Sequence, residues 1–237
     1  MGRRQRCASV ARGRVVDGLC TVLDEHLATT GGGSAAIGCV PWLASKAVID
    51  RLAELNSLCV VIDNGTKNRR AVTRLMGDDG GFPRGFPNSA IAGLAGIIPA
   101  KDGKAVVVGP CTPREVVEHV IESWRILGWR DGEHNNPVLH AKMLVIGRVE
   151  FMNYETEYGI VDDGPRFRPM AVRWGSANWT EGSRNHLEVG CVSRDAQLLD
   201  AATHFVADVI AFSEPLASEC AGPGPNIVTY EVDDAAM

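Results

Sequence analysis

Leu58-Cys59-Val60-Val61-Ile62, closed by Asp63-Asn64-Gly65, is the stretch that decides the fold. Five apolar residues in a row, bounded by turn formers, read as a strand buried on both faces. Upstream, Ala35 to Pro41 reads the same way. Between the two, Val48, Ile49, Leu52 and Leu55 recur at helical spacing, with Ser45 placed to cap. Strand, helix and strand, both strands continuously apolar, predict an α/β fold with a mixed sheet sandwiched between helices.

Working outward, Val15, Val16, Leu19, Cys20, Leu23 and Leu27 share one helical face over residues 14–29, and Gly31-Gly32-Gly33-Ser34 ends that helix in a turn. No Gly-Lys-Ser/Thr follows these glycines, which rejects a phosphate-binding P-loop. Beyond Ile62 come the basic residues Lys67, Arg69, Arg70 and Arg74, then a Gly- and Pro-rich loop from Gly77 to Pro87. The run reads as a solvated helix face, with contact to a phosphate backbone as the sharper alternative. Ala105 to Val108 is a short predicted strand. Thr112-Pro113-Arg114-Glu115 opens a predicted helix that carries Val116, Val120, Ile121, Trp124 and Leu127. Strands are expected at Val138–Ile146, Ala171–Trp174 and Leu187–Val192. Asp195 opens a last helix through Leu198, Leu199, Phe205, Val206, Val209 and Ile210. The tail after Pro215 has little periodicity and is expected to be loose. The expected organisation is a helical segment at 1–30, a single α/β domain at 31–214 and a tail at 215–237.

The chain has 237 residues, 45% of them apolar, enough to bury a core without a disulfide or metal staple. Its net charge of -5 counts against a general affinity for polyanions, although a local basic groove is compatible with it. The seven cysteines are odd in number and form no Cys-x-x-Cys pair. Cys39, Cys59 and Cys191 lie in apolar runs and read as small core hydrophobes. That usage points to a reducing, cytoplasmic setting. The basic start, Arg3-Arg4-Gln5-Arg6, is followed by no apolar core of a signal peptide, and no apolar run is long enough to span a bilayer.

Chemistry concentrates in the second half. In Val138-Leu139-His140-Ala141-Lys142-Met143-Leu144-Val145-Ile146, period two puts His140 and Lys142 on one strand face. Two ionisable groups in so apolar a setting need partners or a task. Gly175-Ser176-Ala177-Asn178 follows the next strand end, where small polar residues let backbone approach an anion. Asn185 and Glu188 come after it.

In this order, His-x-Lys, Gly-Ser-x-Asn and a downstream Glu, the pattern resembles the phospholipase D superfamily. The likeness runs from Ile37 to Val192 and is sharp from Val138 onward. It implies a phosphodiesterase that needs no metal or other cofactor. A His nitrogen attacks phosphorus to give a phosphohistidine, and a second His protonates the leaving oxygen. On this resemblance His140 is nucleophile or acid, Lys142 and Asn178 cradle the phosphate, Gly175 and Ser176 support that cradle, and Glu188 orients His140. Two departures stand out. Gly147 occupies the position of the family's Asp, and residues Arg148–Met170 read as an insertion, in which Asp162 or Asp163 could return a carboxylate.

A single His-x-Lys resembles the small nucleases of that superfamily, so nucleic acid is the first expected substrate. A lipid phosphodiester is the second, and a silent binding module is the rival from another class. One motif per chain also implies a homodimer sharing one site. Taken alone, His140 reads more readily as a core histidine, Ser176 and Asn178 read also as a turn, and Glu188 reads equally as a solvent-facing strand residue. His134 and His186 read as exposed, with lining the pocket as the alternative and the acid role if one chain works alone; Trp42, Trp174 and Trp179 read as packing near the strand ends, with stacking on a base as the alternative. Zinc-ligand spacing and Gly-x-Ser-x-Gly are both missing from the sequence.

Overall fold

The computed structural model describes residues 6–8, 14–65, 68, 70–73, 85–87, 90–91, 98–99, 105–107, 120–127, 129–130, 135–136, 139–156, 159–211, 213–216 and 228–230. Its centre is an eight-stranded mixed sheet. In chain order the strands are β1 (Arg6–Ala8), β2 (Ser34–Val40), β3 (Ser57–Asp63), β4 (Trp124–Leu127), β5 (Met143–Thr156), β6 (Gly159–Gly175), β7 (Gly190–Ser193) and β8 (Glu214–Pro215). Across the sheet they run β1-β7-β6-β5-β2-β3-β4-β8. The pairs β2–β3 and β3–β4 are parallel. The others are antiparallel.

Among the described residues, α1 (Arg14–Thr30), α2 (Lys46–Ala53) and α3 (Ala196–Ala211) supply the main helical cover of the sheet. Every residue of β2 is buried. Alternation along it assigns side chains to two cores. Ala36 and Val40 pack with Leu19, Leu23, Val48, Ile49 and Leu52 of α1 and α2. Ala35, Ile37 and Cys39 pack with Leu199, Val206 and Ile210 of α3. The sheet is thus covered on both faces, as its continuous apolar strands require, and the α/β sandwich read from the sequence is what the chain forms. Helix α1 belongs to the same core as the rest, with Leu19 and Leu23 fully buried.

The turn at Gly31–Gly33 has the predicted form, with φ of 60° at Gly31 and 127° at Gly33. Asp195 caps α3, its Oδ1 accepting from Leu198 N at 3.0 Å. Ser45 occupies the N-cap of α2, but its hydroxyl donates to Glu181 Oε1 instead of to the helix.

Four local expectations change. Trp124 and Leu127 end no helix; they bound β4, whose side chains are all buried and which pairs in parallel with β3. The helix start at Thr112–Glu115 lies outside the described residues. His140 and Lys142 precede β5 and are not part of a strand, because pairing with β2 and β6 begins at Met143. Strand β7 begins at Gly190, so Leu187, Glu188 and Val189 form the approach to it. The tail after Pro215 contributes a strand, Val228–Tyr230, paired with Ala105–Val107.

Residues Arg148–Met170 are the outer part of one long β5–β6 hairpin. Beyond Arg148, β5 has no register with β2, and β6 meets β7 only from Val172 to Gly175. A register shift at Ile146/Gly147 marks where the arm leaves the sheet. There the Gly147 backbone lies against Arg168: a Cβ on residue 147 would stand 2.2 Å from the Arg168 carbonyl oxygen. A carboxylate side chain cannot occupy this position while the hairpin keeps its register. Lys67, Arg69, Arg74, His134 and most of Gly77–Pro87 lie outside the described residues, as do the side chains of Asp162 and Asp163. Among the described residues, no helix is long and apolar enough to cross a membrane.

Candidate functional site

The two halves of the motif meet where β5 begins and β6 ends. Met143 is in register with Trp174, and Gly175 N donates to Lys142 O at 3.3 Å. Because β5 is antiparallel to β2, this point lies at the carboxyl end of the parallel strands β2 and β3. Clefts outside the carboxyl ends of parallel strands are where open α/β sheets place ligand sites.

Lys142 is buried and His140 is exposed beside it. The Lys142 Nζ donates to His140 O at 2.8 Å and stands 3.4 Å from His140 Nε2. An ammonium only donates, so Nε2 faces it as the acceptor and Nδ1 carries the ring proton. Burial holds the Lys142 ammonium below the ordinary lysine range, while the charge of Glu188 pulls the other way. Cys39 is pushed up to about 12 by burial and stays a neutral thiol.

Gly175 is required by geometry. A Cβ there would lie 2.1 Å from the Val189 carbonyl oxygen, the same oxygen that accepts from Ser176 N at 3.0 Å. Ser176 Oγ then does two things. It donates to Glu188 Oε2 and accepts from Val189 N at 3.0 Å. The Gly-Ser turn and the Leu187–Val189 segment are therefore held together by three hydrogen bonds, two of them through one hydroxyl.

Glu188 is largely covered, with 14% of its side chain exposed. The resemblance implies that it orients His140. In the structure its carboxylate bonds Ser176 and stands 3.9 Å from Nδ1 of His186. Asn178 is half-buried, and its Oδ1 is buried with no donor on it among the described residues. Asn185 is exposed at the end of the short helix Glu181–Asn185, and His186 follows it.

The loop that presents Asn178 is anchored from behind. Trp179 is buried, its N donating to Trp42 O at 3.0 Å, while its carbonyl accepts from Ala44 N and Ser45 N, each at 3.0 Å. This joins the Gly-Ser-x-Asn loop to the chain leaving β2. Trp42 itself is 58% exposed, and Leu187 and Val189 are 76% and 45% exposed. Three exposed apolar side chains thus lie on the segments that adjoin the polar groups.

The structure thus brings together His140, Lys142, Gly175, Ser176 and Glu188, with Asn178 on the same loop as Ser176. His186, which reads from the sequence as exposed with lining the pocket as the alternative, stands 3.9 Å from the Glu188 carboxylate. An exposed imidazole, a buried ammonium beside it and amide and hydroxyl groups on one loop can bind a tetrahedral oxyanion and attack its centre. Among the described residues, no three His, Cys, Asp or Glu side chains group as a metal site. Comparison with protein-family models gave no match for this chain, and comparison with curated proteins gave none either.

Proposed function

We propose that this chain is a metal-independent phosphodiesterase that cleaves nucleic acid through a phosphohistidine on His140. The observation that carries the reading is the 3.4 Å approach of Lys142 Nζ to His140 Nε2, at the mouth of the Gly175–Asn178 turn. A phosphate oxygen bound to Nζ brings phosphorus within reach of Nε2. Attack by that nitrogen expels an alkoxide and leaves a phosphoenzyme, which water then hydrolyses. Lys142 offsets charge on the non-bridging oxygens, and its burial strengthens that interaction. Asn178 adds an amide to the same cradle. The exposed ring of Trp42 gives a base a surface on which to stack.

The exposed Trp42, Leu187 and Val189 favour a second reading, a lipid phosphodiester whose chains lie along these side chains. The same side chains offer a surface that a second copy would bury in a homodimer, bringing its own His140 across a two-fold axis as one source of the leaving-group proton.

The test is turnover of bis(p-nitrophenyl) phosphate, then of DNA, RNA and phospholipid vesicles, with and without excess chelator. Wild type should turn over with chelator present, and acid-quenched protein should carry phosphate on His140. His140→Ala should lose both. Turnover that disappears with chelator and returns with a divalent ion would refute the mechanism. Absence of turnover on every substrate would leave a binding module.

A further inference from the structure

Resting on the phosphodiesterase reading, we propose that His186 is the general acid and base of the same chain's site, so that a single copy holds both imidazoles of the two-step reaction. Short contacts through the Gly175–Ser176 turn connect the segments that carry the two imidazoles. His140 Nε2 lies 3.4 Å from Lys142 Nζ. Gly175 N donates to Lys142 O at 3.3 Å, and the neighbouring Ser176 Oγ donates to Glu188 Oε2. Glu188 Oε1 lies 3.9 Å from His186 Nδ1, and its Oε2 is fixed by Ser176. In-line displacement needs its nucleophile and its acid on opposite sides of phosphorus, and this set of side chains supplies two separate imidazoles for those roles.

The assignment of atoms follows. His186 turns Nδ1 toward the carboxylate, which leaves Nε2 for the substrate. Its side chain is 70% exposed, which leaves that nitrogen open to solvent. Glu188 is largely covered and carries the counter-charge for an imidazolium. In the first step the His140 Nε2 lone pair forms the N–P bond, the P–O bond to the leaving group breaks, and the proton on His186 Nε2 passes to that oxygen. An alcohol departs. In the second step neutral His186 takes a proton from water as the water oxygen attacks phosphorus, and the N–P bond breaks. The sum is one phosphodiester and one water giving one phosphomonoester and one alcohol. His140 is restored neutral and His186 protonated, as both began.

Two substrates separate this role from a structural one. An alkoxide leaving group, as in a dinucleotide, needs a proton. p-Nitrophenolate leaves without one. His186→Ala should lose about 100-fold or more in kcat on the dinucleotide. On bis(p-nitrophenyl) phosphate it should keep a fast first step but lack the base for the second, giving a burst of one p-nitrophenol per site and an accumulated phosphoenzyme. Added imidazole should restore turnover. His140→Ala should lose both substrates with no burst. Equal losses of His186→Ala on the two substrates without a burst, or no loss on either, would overturn the assignment while leaving the phosphodiesterase intact; a wild type inactive on both would overturn the reading beneath it.

Discussion

Replacing Gly147 by Ala adds one methyl group at the point where the β5–β6 hairpin leaves the sheet. The added Cβ would stand 2.2 Å from the Arg168 carbonyl oxygen, 2.8 Å from Phe167 Cε2 and 2.9 Å from the Arg168 carbonyl carbon. Two of these neighbours are backbone, so no side-chain rotation relieves the overlap. The strands must separate by about 1 Å or the register must change, which strains β5 on its other side, where Gly147 pairs with Ala35 of β2. Overpacking a tight site costs ~1–3 kcal/mol, and each ladder hydrogen bond lost adds ~0.5–1.5 kcal/mol. The expected total is about 3 kcal/mol, a large part of a typical ~5–15 kcal/mol stability. For a chain of this size that corresponds to a Tm lower by about 6–12 °C. Gly18→Ala is the control. It is the same chemical change inside α1, with no atom within 4 Å of the new Cβ beyond the helix itself. Helix propensity makes it stabilising by up to ~1 kcal/mol. Calorimetry and urea titration of both variants measure the difference. If Gly147→Ala came within ~0.5 kcal/mol of wild type, the range of ordinary surface changes, the claim that backbone geometry excludes a side chain at 147 would be wrong.

Ser176→Ala removes the hydroxyl that joins Glu188 Oε2 to Val189 N. With a partner lost by a carboxylate and by an amide, turnover of bis(p-nitrophenyl) phosphate should fall about tenfold, the kinetic equivalent of ~1.4 kcal/mol; unchanged kcat would show that the Ser176–Glu188 contact does not organise the site. His26 is buried at the end of α1, and burial holds it below the ordinary histidine range against the opposing effect of the Gly147 and Ala35 backbone. The neutral ring is the one the fold accepts, so the unfolded chain binds the proton first and stability should fall as pH drops through about 6.5. Urea titrations from pH 8 to 5 should show a smaller acid loss for His26→Gln than for wild type, and equal losses would refute the assignment.

How much of this was legible beforehand can be judged residue by residue. The continuous apolar runs at Ala35–Pro41 and Leu58–Ile62 could only be strands covered on both faces, and helical spacing in 14–29 and 45–55 supplied the cover. Those are local patterns, set by the periods of the two backbone conformations. The order His140, Lys142, Ser176 and Asn178 was legible only through its resemblance to a family motif, as polar residues within or just after apolar runs. What failed was whatever depends on a distant partner. Trp124–Leu127 fits a helical face as well as a strand, and only pairing with Val60–Asp63 decides between them. The start of β5 at Met143, which leaves His140 and Lys142 at the sheet's end, is fixed by where Cys39 and Trp174 stand. Gly147 looked like a missing carboxylate, and the Arg168 carbonyl shows why no side chain fits there. The pairing of Glu188 with Ser176 and the approach of His186 arise from a hydroxyl and a carboxylate 12 residues apart. Sequence patterns report the period and burial of each segment. Registers, and the contacts they create between segments, are set by packing that no single segment contains.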